Sequence, residues 1–163
     1  MTHSTKLPIL FAFAALLTWI TMAGYVMAGQ VKNVKGQTLY VPVYTYIHHG
    51  DREGKIKLTA TLSIRNISPD ASLTVPAVDY FGSDGKKIRS YLKEPVMLAP
   101  LATTRYIVKE SDLEGGLGTS FIVTWQSDTP IPPPVVQAVM IGAESTQGIS
   151  FVTNGRAITE VVK

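Results

Sequence analysis

From Gly29 onward, apolar and polar positions alternate with a period of two, and no stretch carries the spacing of an amphipathic helix. Leu39, Val41, Val43, Thr45 and Ile47 alternate with Tyr40, Pro42, Tyr44 and Tyr46, which predicts a half-buried strand. Pro42 has no N–H to donate, so this strand is expected at a sheet edge. Ile56, Leu58, Ala60, Leu62 and Ile64 alternate with Lys57, Thr59, Thr61, Ser63 and Arg65, the clearest inward–outward pattern in the chain. Asn66 to Asp70 then supplies turn chemistry. The apolar phase slips by one residue between Leu73–Val75 and Val78–Tyr80, across Pro76, and a slip of that kind predicts a bulge or a change of sheet.

Punctuation divides the remainder. Asp84-Gly85 reads as a two-residue hairpin turn with a return strand from Lys87 to Leu92. Pro95 and Pro100 bracket a short apolar run, and Thr103 to Val108 alternates again. Gly115 to Gly118 is a loop before Phe121, Val123 and Trp125, whose shared face belongs to the core. Pro130 and Pro132 to Pro134 read as an extended crossover, followed by a buried strand from Val135 to Ile141. Ile149 to Val152, Asn154-Gly155 and Ala157 to Val162 read as a last hairpin. Short strands at intervals near ten residues predict an all-β fold: one immunoglobulin-like β-sandwich of about eight strands over residues 37–163, with a barrel as the alternative.

The first thirty residues follow a different rule. Lys6 is the one charged residue before Lys32, and Leu7 to Ala28 is 22 residues without a charge. A positive start, an apolar run and the small-residue pattern Val26-Met27-Ala28 form an export signal. The same length also suffices to span a bilayer. Residues 1–28 are therefore a signal peptide or a membrane anchor, and residues 29–36 a flexible lead-in. Cleavage after Ala28 makes the product periplasmic; retention leaves it in the inner membrane, facing outward.

Composition narrows the chemistry. At 163 residues there is room for one domain with a sizeable core. The formal net charge is +3, or +2 once Lys6 is set aside, and the basic residues are scattered, so nucleic acid is not expected as a partner. There is no cysteine, which excludes disulfides, thiolate metal sites, a cysteine nucleophile and an acylated N-terminal cysteine.

Several segments together resemble the bacterial family known as domain of unknown function 3124. They are Tyr40-Val41-Pro42-Val43-Tyr44, Leu62 to Asn66, Val78 to Phe81 leading to Ser83-Asp84-Gly85-Lys86, Arg89 to Leu92, Phe121 to Trp125, and Ala138 to Gly142 with Gln147 to Phe151. The resemblance runs over nearly all of the chain from Gly36. It implies an exported bacterial protein and supplies no catalytic residues to carry over. Lipid anchoring does not transfer, because the export signal has no cysteine.

Two constellations are candidates for function. His48, His49, Asp51 and Glu53 are metal-ligand types in one short loop, with Gly50 allowing it to fold back. Neighbouring strand residues point to opposite faces, so the two histidines converge only if the strand has already ended, and a solvated hairpin loop accounts for them as well. Tyr40, Tyr44 and Tyr46 form an outward stripe, suited to a recognition surface or to covering the second sheet. Asp79, Asp84, Asp112 and Glu114 lack calcium-loop spacing. Ser150 lies in a strand pattern and not on a nucleophile elbow, and Gly115 to Gly118 lacks the lysine of a phosphate loop. No cofactor is expected. The residues favour a non-enzymatic exported envelope protein that binds another protein or an envelope component such as a glycan, with the membrane touched only by the N-terminal segment. The alternative is a small metal-dependent or hydrolytic periplasmic enzyme.

Overall fold

The computed structural model describes residues 32–143 and 148–161. The expected signal or anchor over 1–28, its cleavage point, and the first residues of the lead-in lie outside the described residues. Those described contain strands and no helix. In chain order the strands are β1 (Val34–Tyr44), β2 (Tyr46–His49), β3 (Gly54–Lys57), β4 (Thr59–Arg65), β5 (Leu73–Phe81) and β6 (Lys87–Ser90). There follow β7 (Val96–Leu98), β8 (Thr103–Val108), β9 (Gly118–Ile131), β10 (Val135–Gly142), β11 (Ile149–Asn154) and β12 (Arg156–Val161).

They form a β-sandwich. One sheet runs β12-β1-β9-β5-β6, with β7 also paired to β5; the other runs β11-β10-β4-β8; β2 and β3 make a separate ribbon. Every pairing that joins them is antiparallel. The core lies where the inward positions meet. Leu39, Val41 and Val43 of β1 and Phe121, Val123 and Trp125 of β9 are buried with Ala60, Leu62 and Ile64 of β4 and Val136, Ala138 and Met140 of β10. Removing these aliphatic and aromatic surfaces from water is the main favourable term.

Local chemistry explains several elements. The phase slip across Pro76 is a bulge: Thr74 pairs with Gln126 and Ala77 with Thr124, so β5 spends an extra residue there. Asn66, 2% exposed, closes the turn after β4 by donating from Nδ2 to the carbonyls of Ala71, Leu98 and Ala99, at 2.8, 3.3 and 3.0 Å. Its Oδ1 accepts from the Ser68 N–H at 3.0 Å, so a buried amide is fully used.

Other expectations are corrected. Among the described residues the strands number twelve, because the short pieces β2, β3, β6 and β7 pair as strands in their own right beside the eight others. Residues 34–36 are not lead-in: Val34 is fully buried and begins β1. Nor is β1 an edge strand, since β12 and β9 flank it. Pro42 is tolerated because pairing with β12 stops at Tyr40, and its carbonyl accepts from the Thr153 hydroxyl where that ladder has ended. Asp84-Gly85 sits in a five-residue loop from Gly82 to Lys86, held by the Gly82 N–H on the Lys86 carbonyl at 2.9 Å, with only Gly85 at positive φ, 78°.

Pro130 lies within β9, past the point where β5 pairs, so its missing N–H interrupts no central ladder. The last two strands are not a hairpin. β11 pairs with β10 in one sheet and β12 with β1 in the other, and Gly155 is where the chain changes sheet. Gly155 donates its N–H to the Val136 carbonyl at 2.8 Å. A Cβ there would stand 3.1 Å from that oxygen and 3.2 Å from Leu39, which is why a glycine serves.

Candidate functional site

Antiparallel register puts directly opposite residues on the same face, so the outward face of the larger sheet can be read row by row. The first row crosses five strands: Val161, Gly36, Gln126, Thr74 and Met97. The second is Thr159, Thr38, Thr124 and Ala77. The third is Arg156, Tyr40, Ile122, Asp79 and Ser90.

Two features hollow out the first two rows. Gly36 contributes no side chain at its centre and admits none, because a Cβ would fall 2.8 Å from the Trp125 carbonyl oxygen. Beside it, two steps of β1 from Val34 to Gly36 face five steps of β9 from Ile131 to Gln126, so β9 bulges outward and raises a wall. The result is a half-open groove of about 450 Å³, with Ser127 and Asp128 on that wall and Lys35 among its lining. Its floor is hydroxylic: the Thr38 and Thr124 oxygens stand 3.4 Å apart. Ser127 donates to the Ser72 carbonyl at 3.1 Å, which steadies the wall.

The floor is also braced from behind. Trp125 donates from Nε1 to Oε1 of Gln37 at 3.3 Å, and Gln37 donates from Nε2 to Glu160 at 3.3 Å. Glu160 also accepts from Lys32 at 2.8 Å. The Lys32 ammonium, followed by Gln37, holds its carboxyl below the usual range. Glu160 is thus occupied before any ligand arrives.

The three tyrosines separate. Tyr40 is 40% exposed, two residues along β1 from Thr38, on the face that carries the groove. Tyr44 packs edge-on against Phe151 at 5.9 Å and covers the sandwich margin. Tyr46 lies beyond the bend at Thr45, on the ribbon, with the Lys55 ammonium 4.6 Å from its ring centre.

The histidine loop is a hairpin whose two rings do not meet. His48 pairs with Lys55 and its Nδ1 lies 3.1 Å from the Glu53 carbonyl, while His49 pairs with Gly54 and its ring lies over that glycine. His48, His49, Asp51 and Glu53 are all exposed. Among the described residues no three histidine or carboxylate side chains are placed to hold a metal ion. The turn carboxylates are each engaged with a cation. Asp79 accepts from Ser90 at 2.6 Å and from Lys87 at 2.9 Å; burial alone would raise its pKa, but these bonds outweigh it and the net direction is down. Asp84 pairs with Lys86 at 3.1 Å, and Asp112 with Arg89.

Arg89 holds a corner that local pattern does not reveal. Its guanidinium lies 5.3 Å from the Tyr80 ring centre and 5.9 Å from that of Tyr91, pairs with Asp112, and approaches Glu114 at 3.8 Å. Tyr80, Tyr91, Tyr106 and Phe121 pack beneath it at centroid distances of 5.2 to 6.4 Å. This clasp ties β6 to the loop before β9, with one guanidinium shared between two carboxylates.

The family's sequence profile, described as protein of unknown function (DUF3124), matches residues 36–158. The chain belongs to the DUF3124 family. The match opens at Gly36, the centre of the groove, and includes Thr38, Tyr40, Thr124 and Gln126. No curated protein matches the chain. A crystal structure of Thermotoga maritima 1070 is similar over 74% of this chain and 92% of that one, with 13% identity and a TM-score of 0.47, a likeness too distant to carry an argument.

Thr38, Thr124 and Thr159 were legible only as outward polar positions on three strands. Their alignment into one row depends on a register that no single strand encodes. Gly36 carried a signal, a glycine beside a strand pattern, but it reads equally well as part of a linker.

Proposed function

We propose that this member of the DUF3124 family is a non-enzymatic exported protein of the cell envelope, which binds an envelope component on the outward face of its larger sheet. The observation that carries the reading is the groove: hydroxyl and amide side chains line it, Asp128 is its single carboxylate, and no histidine lies in it. Such a lining can hold a ligand through many weak polar contacts, and its charged groups are one ammonium, Lys35, and one carboxylate, Asp128, with no histidine or second carboxylate beside them. Export is supported by Lys6, the apolar run and Val26-Met27-Ala28. The product is periplasmic if cleaved after Ala28 and otherwise anchored in the inner membrane.

The test is retention of envelope material by the immobilised full chain, compared with Tyr40→Ala and Gln126→Ala. Both side chains are exposed, so the fold should be unaffected. Material held by the native chain and lost by both variants supports the site. Equal retention by all three proteins places binding elsewhere and removes it.

A further inference from the structure

We infer that the ligand of the outward groove is an uncharged oligosaccharide, with one sugar ring stacked on Tyr40; this rests on the reading of that face as a binding site. The groove's functional groups are mainly hydroxyls, those of Thr38, Thr74, Thr124 and Thr159, with the Gln126 amide. A hydroxyl donates and accepts in the same place, which matches a ligand whose own groups do both.

Charge argues for a neutral chain. Lys35 and Asp128 offset each other in the lining. Glu160 and Lys32 satisfy each other, as do Asp79 and Lys87. Arg156, opposite Tyr40, adds one donor. A phosphate or polyuronate site would need several convergent cations, whereas the lining itself supplies one, Lys35, beside the carboxylate Asp128.

Shape argues for a ring. The bare backbone at Gly36 lets a ligand lie close to the sheet. Tyr40 stands four residues further along β1, about 13 Å at the usual strand rise, so a chain of several sugar units reaches from one to the other. Its exposed ring adds an aromatic platform beyond the groove, whose own exposed apolar side chains, Met97 and Val161, are aliphatic.

A peptide added as a strand fits less well. The free edge beside the groove is β12, and its ladder with β1 breaks between Thr38 and Leu39, where Ile158 is the extra residue. A bulge of that kind turns an edge strand away from further pairing.

The experiment titrates the purified full chain, in detergent, with uncharged oligomers of N-acetylglucosamine, glucose and mannose, and with uronate oligomers of equal length. Binding is read by calorimetry and tyrosine fluorescence. One of the neutral series should bind, and Tyr40→Ala or the shape-conserving Thr38→Val/Thr124→Val pair should each weaken it about tenfold. An unchanged melting temperature in these variants separates lost contact from lost fold. Preference for uronates, or no binding of any sugar, overturns the inference. If sugars fail yet the same variants lose the envelope material, the site stands and its ligand is of another class. If the variants change neither, the site falls too.

Discussion

Thr153 donates its hydroxyl to the carbonyl oxygen of Pro42 at 2.6 Å, and the bond runs from a strand of one sheet to a strand of the other. It lies two residues before Gly155, where the chain crosses between sheets, and it occupies the backbone acceptor that β12 leaves unpaired on β1. Replacing Thr153 by Val keeps the shape and strands that oxygen in a half-buried place. The expected loss is about 0.5–1.5 kcal/mol, read from the urea midpoint of the full chain. A neutral result would mean that water reaches the Pro42 carbonyl and the crossing is held by packing alone.

Two glycines should respond in opposite ways. At Gly142 a Cβ would stand 2.8 Å from the Lys57 carbonyl and 2.9 Å from both Ile56 and Leu58. Gly142→Ala should therefore cost about 1–3 kcal/mol. At Gly118 nothing lies within 4 Å, and the backbone is not in the left-handed region. Gly118→Ala should be neutral or stabilise by about 0.4–1 kcal/mol through the unfolded chain. Thermal melts of the two variants decide, and equal behaviour would contradict the packing described at the ribbon's base.

The inward positions of β4 and the bulge at Pro76 were readable in the sequence, because each depends on neighbours within a few residues. The partners of β11 and β12 were not. Ile149 to Val161 looks like a hairpin locally, since Asn154-Gly155 is ordinary turn chemistry and both flanks favour strands. What decides otherwise is Gly155 against the Val136 carbonyl and Leu39, contacts more than eighteen residues away in the chain. The same holds for Pro42. A missing N–H reads as an edge, and it takes the end of the β12 ladder at Tyr40 to show how an interior strand can carry a proline. The groove is less legible still, because it is a relation among strands.

Tyr80 is fully buried and its hydroxyl meets no partner in hydrogen-bonding geometry. Thr119 is near enough to favour the phenolate slightly, but its own hydroxyl is committed to the Val43 carbonyl at 3.0 Å. Burial dominates and raises the Tyr80 pKa, and it raises that of Tyr91 in the same corner. A tyrosine held neutral by the fold contributes stability that is complete below its unfolded value, about 10, and is lost as pH rises through the folded one. The full chain should therefore melt at falling temperature above about pH 10. Tyr80→Phe should weaken that dependence and, at neutral pH, match the native protein or exceed it by about 1 kcal/mol. Marked destabilisation at neutral pH would show that the hydroxyl has a partner after all.

Tyr40 and Tyr44 lie four residues apart on one strand and should separate function from folding. Tyr44 packs edge-on against Phe151 and is half-buried against the core, so truncation opens the margin where β11 meets β1. Tyr44→Ala should cost about 1–3 kcal/mol of stability, with any loss of binding following from that. Tyr40 is 40% exposed, and Tyr40→Ala should shift stability by no more than about 0.5 kcal/mol. Its effect should appear as weakened retention of ligand, about tenfold, at unchanged melting temperature. The pair of measurements is decisive because the two residues share a strand and a chemistry and differ only in what surrounds them. Should Tyr40→Ala unfold the protein while Tyr44→Ala spares it, the outward face would lose its aromatic platform, and the groove would be left with no exposed ring beside it for a sugar to stack on.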